Sequence, residues 1–229
     1  MLFSELIYNV KNLMSGGITS DDLNIRDKQI AFWINYYRAK LLKQAQDKRD
    51  LNFELYKQNL GSVDVDLFDK NECCEIDDCI LRTKIKIPSP LETGGGLNIT
   101  FVGLLDGTPF NKEYHNSVMW SSASKYTSKT PTWYYQGGYI YIVNHPQNLK
   151  YINIQGVFEN PLEANNFRTC DCDDLEDCFD DYDFQYPFPE HKVDTLVKMI
   201  AESELRILTG LPKDNTNDSQ DTLVDPSKK

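Results

Sequence analysis

One stretch, residues 25–49, constrains the fold more than any other part of the chain. Its sequence, IRDKQIAFWINYYRAKLLKQAQDKR, contains no proline or glycine and is rich in residues that favour helix. Six apolar residues recur at helical spacing: Ile30, Trp33, Ile34, Tyr37, Leu41 and Ala45. Their common face must be buried against this chain's core, a ligand or another subunit. At about 1.5 Å per residue, the helix is a rod of roughly 35 Å.

The remaining faces of this helix carry basic side chains and form its mixed-charge outer face. These residues are Arg38, Lys40, Lys43, Lys48 and Arg49. A shorter amphipathic pattern precedes the long helix, with apolar residues at three- and four-residue spacing from Phe3 to Met14. Gly16 and Gly17 follow it, as glycine often does just beyond a helix end. Two helices joined by a short polar loop predict an antiparallel hairpin, which we place at residues 1–51.

The middle of the chain, residues 52–185, has strand patterns instead. Residues 81–88, LRTKIKIP, alternate apolar and basic side chains and predict a strand with one solvent-facing side. Residues 97–105 and the pair within 138–158 are rich in β-branched and aromatic residues. The sequence HPQN at 145–148 predicts the hairpin turn of that pair, and residues 118–135 read as a strand plus an exposed loop. We therefore expect a large, mostly antiparallel β domain.

Helix returns near the C-terminus. An apolar stripe from Val193 to Leu208 follows Pro189, and Gly210 and Pro212 end it. We place this C-terminal helix at residues 186–211 and expect it to pack on the N-terminal hairpin. Residues 212–229 are polar and predict a flexible tail. The predicted fold class is α+β, with helices at both ends of the chain and the β domain between them.

Composition excludes several classes of function. The chain has 229 residues, of which 40% are hydrophobic, which suits one or two globular domains. The formal net charge of −11 argues against a grip on nucleic acid by the whole molecule. No apolar run approaches the roughly 20 residues needed to span a bilayer. The N-terminal segment lacks the basic start of a secretory signal, so we expect the chain to stay in the cytoplasm where it is made.

Six cysteines form two groups, ECCEIDDC at 72–79 and CDCDDLEDC at 170–178. Thiolates are good zinc ligands, so one interpretation is a metal-binding regulatory or interaction module organised by both groups. Neither group has CxxC spacing, however, and the eight acids in 170–183 would raise thiol pKa values. A disulfide in an assembled particle and reduced, partly buried thiols are the other interpretations. We assign no metal ligand.

No residues combine into a catalytic motif. The three histidines, His115, His145 and His191, lie in three different segments without a triad partner at a suggestive spacing. The glycines at 94–96 are not followed by the Gly-Lys-Ser/Thr of a phosphate-binding loop. The acids of DDLEDCFDDYD miss the register of a calcium loop. We therefore predict no catalytic residue, no cofactor and no enzymatic activity.

The long helix has more aromatic surface than its own core requires. Trp33 and Tyr37 most simply face the hairpin partner and core, whereas Tyr36 points about 100° away from Tyr37. Tyrosine and tryptophan bury large areas at protein interfaces. We predict that Trp33, Tyr36, Tyr37 and Leu41 contribute to contacts with copies of the same chain.

Four segments resemble a known family. They are LFSELIYNVKNLMSGG (2–17), ITSDDLNIRDKQIAFWINYYRAKLLKQ (18–44), ECCEIDDC (72–79) and FPEHKVDTLVKMIAESELRILTGLPKDNTNDSQD (188–221). Together they are similar to virion structural proteins of crAss-like and related short-tailed podoviruses of Bacteroidetes hosts. That family is a component of the head-to-tail connector, a ring or adaptor protein below the portal. The large β domain departs from small all-helical adaptors, which leaves the level in the connector stack open.

The resemblance implies a closed homo-oligomeric ring of about twelve subunits, located at the head-to-tail junction of the virion. Its partners would be the portal, other ring or tail proteins, and DNA that passes without sequence-specific binding. Leu223 and Val224 would anchor the C-terminal tail on the portal. Arg82, Lys84 and Lys86 would face the acidic segment 170–183 of the adjacent subunit.

Overall fold

The computed structural model describes residues 1–14, 25–47, 53–67, 80–123, 125–126, 129–145, 148–168 and 182–205. Its helices are α1 (Phe3–Met14), α2 (Asp27–Asp47), α3 (His115–Ala123), α4 (Pro161–Arg168) and α5 (Val193–Ile200). Its strands are β1 (Gln58–Leu67), β2 (Leu81–Thr83), β3 (Glu92–Thr93), β4 (Gly96–Leu97), β5 (Ile99–Gly103), β6 (Asn111–Lys112), β7 (Thr132–Gln136), β8 (Tyr139–Val143) and β9 (Tyr151–Gly156). Short 3-10 turns span Phe53–Tyr56 and Glu190–Lys192, and a π turn spans Ala201–Leu205. The predicted α+β fold is confirmed.

A seven-stranded sheet forms the middle of the molecule, in the order β5-β9-β1-β2-β8-β7-β6. Its pairs are antiparallel except β6 with β7. The two ends of this order meet, because Gly103 bridges Pro109 and the Phe110 amide donates to the Val102 carbonyl at 2.8 Å. The sheet therefore curls back on itself towards a closed barrel. Strands β3 and β4 form a separate two-stranded sheet.

The described residues form two main hydrophobic cores. One fills the curled sheet and includes four fully buried isoleucines, Ile140, Ile142, Ile152 and Ile154. The other lies among the helices, where α1 and α2 pack with Leu196 and Ile200 of α5. The C-terminal helix thus packs on the N-terminal hairpin, as the sequence predicts.

The start of the chain pairs with residues 182–188. The Phe3 amide donates to the Phe184 carbonyl, and the Ser4 amide donates to the Tyr182 carbonyl, both at 3.0 Å. The Phe3 ring stacks on the Tyr186 ring with centroids 4.7 Å apart. These contacts hold α1 against the segment that leads into α5.

Arg38 does not belong to the outer face of α2, where the sequence placed it. Its side chain is fully buried. The guanidinium donates to the Phe158 carbonyl at 3.0 Å and to the Pro187 carbonyl at 3.3 Å, and it lies 5.7 Å from the centre of the Tyr186 ring. The prediction was wrong because spacing alone cannot reveal that two carbonyls from other segments meet α2 at this position.

The prediction that two strands within residues 138–158 form a hairpin is also wrong. β8 and β9 are separated in the sheet by β2 and β1. The hairpin joins β7 to β8 instead, through Gly137 and Gly138 with φ of 61° and 93°. Two adjacent residues with positive φ suit the tight turn whose twist matches paired strands, and glycine adopts that conformation without strain. Proline and asparagine at 145–148 mark a connection, but they do not determine which strands pair.

Two further local predictions need correction, and one helix was missed. The strand predicted at 81–88 ends at Thr83, and Ile85 is 54% exposed. Residues 118–123 belong to helix α3, not to a strand, because the Ser117 hydroxyl closes the first turn on the Tyr114 carbonyl at 2.8 Å. Helix α4 was not predicted, although Asn160 caps it by accepting from the Leu162 amide at 3.1 Å.

Several predictions fall on residues outside the described ranges. These residues include all six cysteines, the tail with Leu223 and Val224, and most of the acidic segment 170–183. The domain boundaries at 51, 185 and 211 stay predictions. Within the described part of the chain, no helix combines the length and apolar character that crossing a membrane requires.

Candidate functional site

Helix α2 divides its aromatic residues between the core and the surface. Trp33 and Tyr37 are only 7% and 4% exposed and belong to the helical core, which Leu41 joins as a partly buried residue. Phe32 and Tyr36 are 65% and 54% exposed, and their stacked rings lie 6.3 Å apart. The subunit-contact prediction for the four residues named from the sequence stays a prediction, and Tyr36 has the most free surface among them.

A groove runs along this outer face of α2, and we call it the α2 groove. It has a volume of about 960 Å³ between α2 on one side and residues 91–92 and 159–163 on the other. The α2 wall carries three lysines, Lys28, Lys40 and Lys43. The opposite wall carries three glutamates, Glu92, Glu159 and Glu163. Apolar side chains such as Phe32, Ala39 and Leu91 also line the groove, which therefore combines apolar surface with charges on both walls.

Side-chain hydrogen bonds fix the two walls of the α2 groove relative to each other. The Asn35 amide on α2 donates to Asn160 Oδ1 at 3.0 Å, and Asn160 caps α4. The Tyr186 hydroxyl donates to Asn35 Oδ1 at 2.8 Å. Burial raises the pKa of the Tyr186 hydroxyl and outweighs the neighbouring Arg38 charge, so the hydroxyl keeps its proton and remains a donor. The groove is a preformed feature of the folded chain.

The end of the described chain also contacts α2. The Tyr37 hydroxyl donates to Glu204 Oε1 at 2.8 Å. Burial, more than any other cause, raises the pKa of Tyr37, which keeps this hydroxyl a donor. The described part of the chain therefore ends close to α2.

A second surface lies on and around α3. Tyr114, Trp120 and Tyr126 are 83%, 80% and 88% exposed, and we call these three side chains the aromatic projection. The base of α3 is held firmly, because Val118 packs with Tyr134 and Val143 on the sheet. Aromatic side chains are enriched at protein interfaces, so these three are candidates for contact with a partner.

The predicted basic strand face is arranged around one aromatic ring. Arg82 and Lys86 lie over the Tyr139 ring, at 4.7 Å and 5.9 Å from its centre. Lys84 is exposed, and its amide donates to the Asp64 carbonyl at 2.9 Å. The structure therefore brings Arg82 and Lys86 together, while their pairing with 170–183 stays a prediction.

The described residues offer contact surfaces. Among them, no group of three His, Cys, Asp or Glu side chains could hold a metal ion. His115 lies against Tyr134, with ring centres 5.1 Å apart. The arrangement is suited to protein–protein contact.

Sequence reasoning missed Phe32 and the aromatic projection. A signal for the projection exists, since Trp120 and Tyr126 stand in a stretch rich in Ser, Thr and Lys without apolar periodicity. Side chains in such a stretch cannot all turn towards one core. Phe32 had the clearer signal, because it lies one position from Trp33 and therefore off the buried stripe.

Comparison with known proteins identifies the family. A family model described as phage tail ring protein 2, of the crAss-like phages, matches residues 5–223. A search of curated proteins found no match. The matched range covers nearly the whole chain and includes the α2 groove and the aromatic projection. The chain therefore belongs to the phage tail ring protein 2 family of crAss-like phages, a family of structural ring components of the virion.

Proposed function

We propose that this chain forms a closed ring in the head-to-tail connector of the virion, as a portal-proximal adaptor or a second ring. The ring joins the capsid portal to the tail and surrounds the path of the DNA. The observation that carries this proposal is the family match over residues 5–223. The four segments that resemble connector proteins of short-tailed phages support the position next to the portal.

The charge of the chain supports passive passage of DNA. The net charge of −11 is far from the basic balance that proteins need to hold phosphates. An acidic lumen repels the DNA backbone and lets it slide. Passage of this kind requires no sequence-specific contact.

The C-terminal residues are suited to a contact with the portal. The described part of the chain ends next to α2, where Glu204 accepts from Tyr37. About 24 residues follow Leu205, and an extended chain of that length reaches roughly 80 Å. Leu223 and Val224 are the apolar pair with which this arm anchors on the portal. A polar arm of this composition gains order on its partner.

Native mass spectrometry and electron microscopy of the purified chain, alone and with portal protein, test the proposal. The expected result is a ring of about twelve copies that stacks on the portal with a shared axis and a central hole. A chain that stays monomeric at high concentration, with and without portal, contradicts the proposal. A ring of different copy number leaves the connector role intact and overturns the twelve-fold symmetry.

A further inference from the structure

A ring of more than two identical subunits needs two different lateral surfaces on each subunit. Each copy uses one surface towards one neighbour and the second surface towards the other neighbour. The two surfaces must be complementary and must lie on different sides of the molecule. The α2 groove is concave, and the aromatic projection consists of three highly exposed side chains, so the described chain offers two surfaces of different character.

The two surfaces lie on different sides of the curled sheet. α3, which carries Trp120, packs on β7. α4, whose first residues form one wall of the α2 groove, packs on β1. Strands β1 and β7 are three positions apart in the order β1-β2-β8-β7. Around the other side of the curled sheet, through β9, β5 and β6, they are four positions apart. No two strands of a seven-stranded closed sheet are further apart.

The available area suits a stable contact. Aromatic side chains bury about 150–250 Å² each. The three side chains of the aromatic projection are at least 80% exposed, so nearly all their area remains available. Together they offer roughly 450–750 Å², close to the ~800 Å² that each partner of a standard interface buries. The α2 groove, at about 960 Å³, is large enough to receive several such side chains.

The charges are complementary as well. Two exposed lysines, Lys125 and Lys129, follow α3 beside the aromatic projection. The wall of the α2 groove opposite α2 carries Glu92, Glu159 and Glu163. Opposite charges around an apolar centre orient two surfaces and discriminate against wrong partners.

We propose that the aromatic projection of one subunit inserts into the α2 groove of the neighbouring copy, and that this repeated contact closes the ring. Trp120 is the central anchor, as buried tryptophans commonly are in interfaces. It packs against the exposed Phe32 and Tyr36 of the neighbour, and Lys125 and Lys129 face the glutamate wall. The inference rests on the proposed ring and identifies its lateral contact.

Two variants test the contact, one on each surface. Trp120→Ala removes the anchor, and the double variant Phe32→Ser with Tyr36→Ser removes the aromatic wall of the groove. The matched control is Tyr8→Ala, which removes another exposed aromatic side chain, 59% exposed, from α1. Sedimentation velocity should show subunit association at least about tenfold weaker for each test variant and unchanged for the control.

Mixing the two test variants distinguishes this geometry from a symmetric contact. Trp120→Ala keeps an intact α2 groove, and the double variant keeps an intact aromatic projection. An equal mixture should form heterodimers, because one intact contact is available, but no ring. A projection-to-projection contact would give no heterodimer in the mixture, and that result would overturn the proposal.

The outcomes separate this contact from the ring itself. Rings that persist in Trp120→Ala overturn the lateral contact and leave the proposed function standing. A wild-type chain that stays monomeric with and without portal overturns both. Circular dichroism checks that each variant folds, and Tyr126→Ala provides the same test at a second position of the projection.

Discussion

Arg38 carries a positive charge into the junction between the helical core and the curled sheet. Its donors satisfy the Phe158 carbonyl, just beyond β9, and the Pro187 carbonyl, just before α5. Burial lowers the pKa of its guanidinium, and the neighbouring tyrosines oppose that shift. One side chain thus ties α2 to two segments that are distant in the sequence.

Replacing Arg38 by methionine should lower the free energy of unfolding by about 2 kcal/mol, since two buried carbonyls lose their donor while most of the side-chain volume is kept. Denaturant unfolding measures the change. The matched control is Lys43→Met, at an exposed lysine of the same helix, which should change stability by less than about 0.5 kcal/mol. If Arg38→Met lowered the free energy of unfolding no more than Lys43→Met, the proposed structural role of Arg38 would be contradicted.

Tyr186 should make stability depend on alkaline pH. Burial raises the pKa of its hydroxyl, so above about pH 10 the unfolded chain loses this proton while the folded chain retains it. The free energy of unfolding therefore falls as pH rises above about 10, by up to ~1.4 kcal/mol per pH unit for this residue. Tyr186→Phe should flatten that slope and cost about 1 kcal/mol at neutral pH, where the hydrogen bond to Asn35 is lost. Urea unfolding from about pH 9 to 11 measures how the free energy of unfolding changes with pH. The same change in the wild type and in Tyr186→Phe would contradict this prediction.

At the scale of elements, the closure of the sheet depends on the tight connection between β5 and β6. The Leu104 amide donates to the Thr108 carbonyl at 2.9 Å, and Phe110 returns to Val102. Gly103 lies so close to the returning chain that a Cβ atom there would be 2.1 Å from the Thr108 carbonyl oxygen. The close approach, and not the dihedral angles, explains glycine at this position.

Gly103→Ala should therefore destabilise the chain by more than about 2 kcal/mol, because the connection has to open. Gly107 provides the comparison, since its φ of +92° is strained for alanine but a Cβ there meets nothing within 4 Å. Gly107→Ala should cost only about 1 kcal/mol. Thermal unfolding of the two variants would show the difference, and a smaller loss at Gly103 than at Gly107 would refute this account.

Periodicity predicted the elements that a single buried face defines. Helix α2 and the apolar stripe of α5 follow from the spacing of residues such as Ile30 and Leu196. Pairing did not follow in the same way, because β8 and β9 are consecutive in sequence yet lie apart in the sheet. The local pattern determines whether a segment is a helix or a strand. Which strands pair with it depends on contacts between residues that are distant in the sequence. Helix α4 had a readable signal in Asn160, Pro161 and Glu163, which match the preferred residues of a helix start.

At the scale of the whole molecule, the candidate surfaces were only partly predictable. Tyr36 was identified because its direction on α2 differs from that of Tyr37. The α2 groove could not be identified, because its second wall comes from residues 91–92 and 159–163, which meet α2 only in the folded chain. The aromatic projection depends on α3, and the sequence favoured a strand there.

Deleting residues 213–229 should separate docking on the portal from folding and ring formation. The proposed portal arm lies in this segment, while the two cores are built from residues before it. The shortened chain should keep its unfolding transition and form rings, but it should no longer dock on the portal. Co-sedimentation with portal measures docking, and Leu223→Ser with Val224→Ser is the finer variant. Docking that persists in both would disprove the role of the arm.

The pairing of the first residues with 182–188 has a consequence for synthesis. The partners of Phe3 are translated roughly 180 residues after it, so α1 and α2 leave the ribosome well before their buried faces can be covered. Contacts between such distant residues form slowly, since a long loop must close first. The nascent chain therefore exposes its most aromatic helix until residues 182–200 have been synthesised. During that interval chaperones would protect the helix from premature self-association.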